Sequence, residues 1–208
     1  MNFEKHTNLK YKIAVSGAAE MGFLGPEAYE VAKEVGRQVV KHQAFLITGA
    51  TTGFPLWAAM GAKEEKGTVV GLSPAENERE HLDVYRLPID YTDFIIYTGF
   101  GYAGRDILFT RTADAVIIGA GRIGTIHEFT ISYEDQKPMG ILQSDYWETD
   151  EVIKFIMDKS HRTNPKVIFD KDPAKLVERL IKMIEEDKKK NYTYKNDDGI
   201  GGKGERIL

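Results

Sequence analysis

Three turns of small residues and a few charged side chains set out what chemistry this chain could do. Ser16-Gly17-Ala18-Ala19, Thr48-Gly49-Ala50-Thr51-Thr52-Gly53 and Gly119-Ala120-Gly121-Arg122-Ile123-Gly124-Thr125 each follow a short apolar run. Small side chains let backbone N–H groups close on an anion, and a helix starting there adds partial positive charge. The chemistry on offer is the gripping of a phosphate. Tight strand-to-helix turns also use glycine on steric grounds alone, and for the first two turns both explanations stand. In the third, Thr125 and Glu128 have the spacing of a capping box, which would explain both without a ligand. Arg122 is harder to explain, because a cation at a helix start opposes the macrodipole unless an anion sits beside it. Arg105 raises the same question one helix earlier, next to Asp106. Arg111 lies about 240° further round that helix and does not join it.

These turns need rigid elements to aim them. Short apolar runs alternate with longer amphipathic stretches, the pattern of βαβ units. Strands are predicted at Lys12–Ser16, Ala44–Thr48, Thr68–Leu72, Phe94–Thr98, Ala115–Gly119, Met139–Gln143 and Val167–Phe169. Most are continuously apolar, as strands buried on both faces are. Gly25-Pro26 opens the first helix with proline at its first position, and Asp172 caps the last. That last helix lines up Leu176, Leu180, Met183 and Ile184. The expected architecture is an α/β, three-layer Rossmann-like domain over residues 1–190, its mostly parallel sheet covered by helices on both faces. Residues 191–208 have little to bury and are expected to form a flexible tail. The tail's Gly199-Ile200-Gly201-Gly202-Lys203-Gly204 has no strand before it, so it does not read as a phosphate loop. Ligands of an open parallel sheet bind beyond the carboxyl ends of its strands, so all three turns should meet on one edge. Phe54, Trp57, Phe100 and Tyr102, near those turns, suit either ring stacking or ordinary packing.

Composition narrows the partners. The chain has 208 residues, enough for one substantial core. A net charge of −4 argues against coating a nucleic acid. With no cysteine, disulfides and thiolate chemistry are excluded. Five scattered histidines give no metal-binding pattern, so neither metal nor cofactor is expected. No apolar run reaches the roughly 20 residues that span a bilayer, and the first ten residues lack the apolar core of a signal peptide. A cytoplasmic protein binding a small molecule is the expectation.

The stretch from Arg105 through Arg111-Thr112-Ala113-Asp114-Ala115, followed by Ala120-Gly121-Arg122-Ile123-Gly124-Thr125-Ile126-His127-Glu128, resembles the Lonely Guy family. Its members are nucleoside 5′-monophosphate phosphoribohydrolases with a Rossmann-like fold. The resemblance covers roughly residues 11–145 and places Arg105 and Glu128 at the catalytic pair. It places Ser16, Gly17, Ala18, Gly49, Thr51, Thr52, Gly53, Gly121, Arg122, Gly124 and Thr125 at the nucleotide and phosphate loops. Ala120 stands where those enzymes carry proline, Arg122 where they carry glycine, and Asp106 where they usually carry lysine. The departures place the chain in the wider superfamily, near its molybdenum-cofactor carrier branch. DNA-processing protein A domains also belong there.

The resemblance implies hydrolysis of an N-glycosidic bond, releasing base and ribose 5-phosphate. Glu128 would stabilise a ribosyl cation or deprotonate water. Arg105 would orient Glu128 or the ribose hydroxyls. The alternative is a carrier that binds a nucleotide- or molybdopterin-like phosphate without turnover. The resemblance further implies a homodimer or higher homo-oligomer.

Overall fold

Strands that are apolar on both faces must be covered from above and below, and the computed structural model shows this arrangement. It describes residues 10–20, 22 and 26–191. The expected tail therefore lies, apart from Asn191, outside the described residues, as does Gly25. In chain order the elements are β1 (Lys12–Ser16), α1 (Pro26–Lys41), β2 (Phe45–Thr48), α2 (Phe54–Glu64) and β3 (Val69–Ser73). A π-helical turn (Glu80–Val84) precedes β4 (Phe94–Tyr97), α3 (Gly101–Thr112) and β5 (Ala115–Ile118). Then come α4 (Ile123–Glu134), β6 (Met139–Leu142), α5 (Thr149–Lys159), β7 (Val167–Asp170) and α6 (Pro173–Asn191).

The seven strands form one sheet in the order β4-β3-β2-β1-β5-β6-β7. Every neighbouring pair is parallel. One apolar layer joins α1, α2 and α6 to the sheet through residues such as Ala32, Val35, Ala58, Leu176 and Leu180 against Ile13, Leu46 and Ile117. The other joins α3, α4 and α5 through Phe109, Phe129 and Ile153 against Ile47, Val116 and Ile141. Alternate residues of each strand feed opposite layers, so β5 (Ala-Val-Ile-Ile) is buried at every position. The predicted stripe of α6 packs inward as Leu176, Leu180 and Ile184, with Val177 and Ile181 added and Met183 at its margin. Asp172 caps that helix by accepting from the N–H groups of Ala174 (2.9 Å) and Lys175 (3.3 Å).

The connectivity decides where a ligand can sit. From β1 the chain steps outward through β2 and β3 to β4, then returns to lay β5 on the other side of β1. Ser16 is in register with Ile118. The turns that follow those residues diverge into helices on opposite faces, leaving a crevice at the switch point.

Candidate functional site

The three small-residue turns do meet there. The Ala18 N–H donates to the Ala120 carbonyl at 2.7 Å, and the Gly119 N–H to that of Ser16 at 2.9 Å. The Phe54 N–H donates to Ala18 O at 3.0 Å, and the Thr52 hydroxyl to Ala19 O at 2.9 Å. Gly53 adopts φ 71°, and a Cβ there would lie 2.2 Å from Ala18 O. Its glycine is therefore a requirement of backbone geometry and close approach. Thr52 and Gly53 hold the second turn against the first without lining the cleft between them.

The cleft has a volume of about 310 Å³. Ser16, Gly17, Ala18, Gly49, Thr51, Arg105, Arg122, Gly124, Thr125 and Glu128 all line it. So do Glu20, Pro55, Tyr102, Asp106 and Phe109. Of the four aromatics near the turns, Phe54 is fully buried and wedged under Gly17 and Gly119. Trp57 stacks edge-on against Tyr29 at 5.2 Å. Both are packing residues. Phe100 and Tyr102 are exposed, and Tyr102 alone of the four borders the cleft.

At the floor, α3 and α4 bring charged groups into apolar surroundings. Arg105 and Glu128 are both buried, with Arg105 Nη1 3.5 Å from Glu128 Oε1. Arg105 Nε lies 3.4 Å from Asp106 Oδ1, yet it has no hydrogen-bond acceptor among the described residues. The Ser16 hydroxyl bonds to Glu128 Oε2. On its far side Asp106 Oδ2 meets His127 Nδ1 at 2.7 Å. Burial pushes the Glu128 carboxyl up to about 8; Arg105 pulls it down, and Asp106 pushes it up again. Gly49 leaves room for the arginine, since a Cβ there would lie 1.9 Å from Arg105 Nη1.

The capping box is not formed. Helix α4 begins at Ile123 with Arg122 in the N-cap position and no side-chain cap, so Thr125 and Glu128 lie within the helix. Glu128 turns to Ser16 and Arg105 instead, which removes the capping explanation. The first N–H groups of α4 lack intrahelical acceptors, and Arg122, Gly124 and Thr125 carry them along the cleft wall. A Cβ at Gly124 would meet nothing within 4 Å, so no crowding from the protein demands glycine there. Gly121 does not face this cleft; its N–H donates to the Thr149 hydroxyl at 2.8 Å. At the mouth Arg122 Nη1 pairs with Glu20 Oε2 at 2.8 Å, across the gap between the first and third turns.

Sequence reasoning missed Asp106, His127 and Glu20 as parts of this cluster. Asp106 is one residue from a predicted site arginine, which was the available signal. Nothing in the spacing marks its pairing with His127. Among the described residues no cluster of three or more histidine, aspartate or glutamate side chains could hold a metal ion, and no helix is long and apolar enough to cross a membrane.

Comparison with known proteins agrees with this architecture. A protein of Archaeoglobus fulgidus is 31% identical over 132 residues, covering 64% of this chain and 80% of the relative. The molybdenum cofactor binding protein of the phototrophic bacterium Rippkaea orientalis superposes with a TM-score of 0.68 at 25% identity, over 86% of this chain and 98% of that one. The molybdenum cofactor carrier protein of Chlamydomonas reinhardtii gives 0.66 at 25% identity, over 85% and 99%. The model of the SLOG cluster4 family matches residues 10–177. The chain belongs to the SLOG cluster4 family.

Proposed function

We propose that the cleft between β1 and β5 binds the phosphate end of a nucleotide- or molybdopterin-like small molecule and carries it without turnover. The observation that carries this reading is the wall at the start of α4. Gly124 opens onto the cleft with no packing reason to be glycine, beside helix N–H groups and above the buried guanidinium of Arg105. An anionic oxygen in the cleft would accept from those N–H groups, and the guanidinium beneath adds positive charge. The two structural relatives whose names describe binding or carrying of the molybdenum cofactor support a carried cargo.

Hydrolysis of a nucleoside 5′-monophosphate is the second reading, favoured by the placement of Arg105 and Glu128 together on the cleft floor. Burial raises the Glu128 carboxyl, as it does in catalytic acids and bases and in buried structural carboxyls alike, so turnover itself decides between the readings. Incubation of the pure protein with AMP and GMP, followed by chromatography for free base, separates the two. The carrier reading expects nucleotide binding and no base. Base release that disappears in Glu128→Gln would replace it with the hydrolase.

A further inference from the structure

A second cleft, of about 840 Å³, lies on the other side of the α4 start, between it and the loop joining β6 to α5. Arg122 lines both clefts, so the first turn of α4 is the ridge between them. The ridge is pinned from below. The Thr149 hydroxyl accepts from the Gly121 N–H at 2.8 Å and donates to the Gly121 carbonyl at 3.2 Å.

The second cleft has a different chemistry from the first. Its walls carry exposed apolar surface: Ile123 is 85% exposed, Tyr146 58% and Val152 43%. An isoleucine that exposed, on the ridge of a small-residue turn, has almost nothing to pack on among the described residues. Glu148 and Glu151 also line the cleft, and neither side chain pairs with a cation among the described residues. Asp145, in the same loop, is engaged by Lys171 at 2.7 Å.

We infer that this cleft is the ring subsite of the ligand whose phosphate occupies the first, and that it selects a 2-amino-4-oxopyrimidine ring, the edge shared by guanine and pterins. The inference rests on the reading of the first cleft as a phosphate site. Carboxylates repel the phosphate end and fix the direction in which the ligand lies across the ridge. The 2-amino-4-oxopyrimidine edge presents a ring N–H and an amino group side by side, and one carboxylate accepts from both. Adenine offers an amino group beside a ring-nitrogen lone pair, which would face a carboxylate oxygen. Tyr146 and the aliphatic walls cover the faces of a flat ring.

Calorimetric titration of the full chain with ribose 5-phosphate, AMP, GMP and 6-hydroxymethylpterin phosphate tests this. GMP or the pterin phosphate, or both, should bind at least tenfold more tightly than AMP and ribose 5-phosphate. The double variant Glu148→Gln/Glu151→Gln, altered only at exposed positions, should bring the preferred ligand down to the affinity of AMP without weakening ribose 5-phosphate binding. Binding of ribose 5-phosphate without preference among the rings overturns the inference and leaves the phosphate site standing. A preference that survives the double variant also overturns it. Failure of every phosphorylated compound to bind overturns the phosphate reading and, with it, this one.

Discussion

Arg105 Nη1 lies 3.5 Å from Glu128 Oε1, and a Cβ on Gly49 would fall 1.9 Å from that same nitrogen. The second turn and helix α4 thus both close on one guanidinium. Gly49→Ala should displace the Arg105 side chain, destabilise the protein by about 1–3 kcal/mol as overpacking does, and weaken phosphate binding. Urea unfolding and titration with ribose 5-phosphate measure the two effects. Unchanged stability and affinity would show that the guanidinium has another place to go.

Glu128 sets a pH dependence whose sign follows from its raised carboxyl. The folded state holds the proton up to about 8, whereas the unfolded chain releases it near the ordinary 4.5. Between those values the native state binds more protons, so this group's contribution is full below about 4.5 and falls as pH rises through 8. Glu128→Gln, which mimics the neutral carboxyl, should flatten that decline. Urea denaturation from pH 5 to 9 reads the slope for both proteins. An equal slope in the variant would assign the decline to other groups.

Arg122 and Glu20 close an exposed ion pair over the cleft mouth, 2.8 Å apart. Exposed pairs contribute about 0–1 kcal/mol, so neither Arg122→Gly nor Glu20→Gln should move the melting temperature by more than a few degrees. Their effects on ligand binding should differ in sign. Glu20→Gln removes a negative charge from the approach and should tighten phosphate binding, more so at low salt. Arg122→Gly should weaken it. Tighter binding in Arg122→Gly would identify the arginine as an obstruction.

Edge strand β4 supports the proposal of a homo-oligomer. Phe94 and Ile96 pair in register with Val70 and Leu72, which pack into the α3–α5 layer, yet they are themselves 60% and 41% exposed. A partner copy across this edge would cover them. Light scattering should give a dimer or larger species that Phe94→Glu converts to monomer. A wild-type monomer at micromolar concentration would contradict the proposal.

The fold was legible because its signal is continuous. Runs such as Ala-Val-Ile-Ile at β5 announce buried strands, and every predicted strand lies within one residue of its place at either end. The meeting of the three turns followed from parallel topology alone. The π-helical turn at Glu80–Val84 was not legible. It buries His81 between the Ser73 hydroxyl (2.8 Å) and the Pro88 carbonyl (3.1 Å), partners that no local pattern names. The apparent capping box failed because Thr125 and Glu128 have its spacing while the helix starts two residues before Thr125. The pairing of Asp106 with His127 depends on how α3 and α4 are rotated against each other, which sequence spacing does not encode. Phe54 and Tyr102 look alike in sequence, and only the packing divides them into wedge and cleft wall.

The phosphate site itself is tested most directly at Gly124, which lines the cleft and where an added Cβ would meet nothing within 4 Å. Gly124→Leu should fold with equal or greater stability, because leucine is the better helix former by several tenths of a kcal/mol. Titration of this variant with ribose 5-phosphate, beside the wild type, should show binding weakened at least tenfold while the melting temperature holds or rises. Full wild-type affinity in a stably folded Gly124→Leu would contradict the account, since the α4 start could not then be where the phosphate lies.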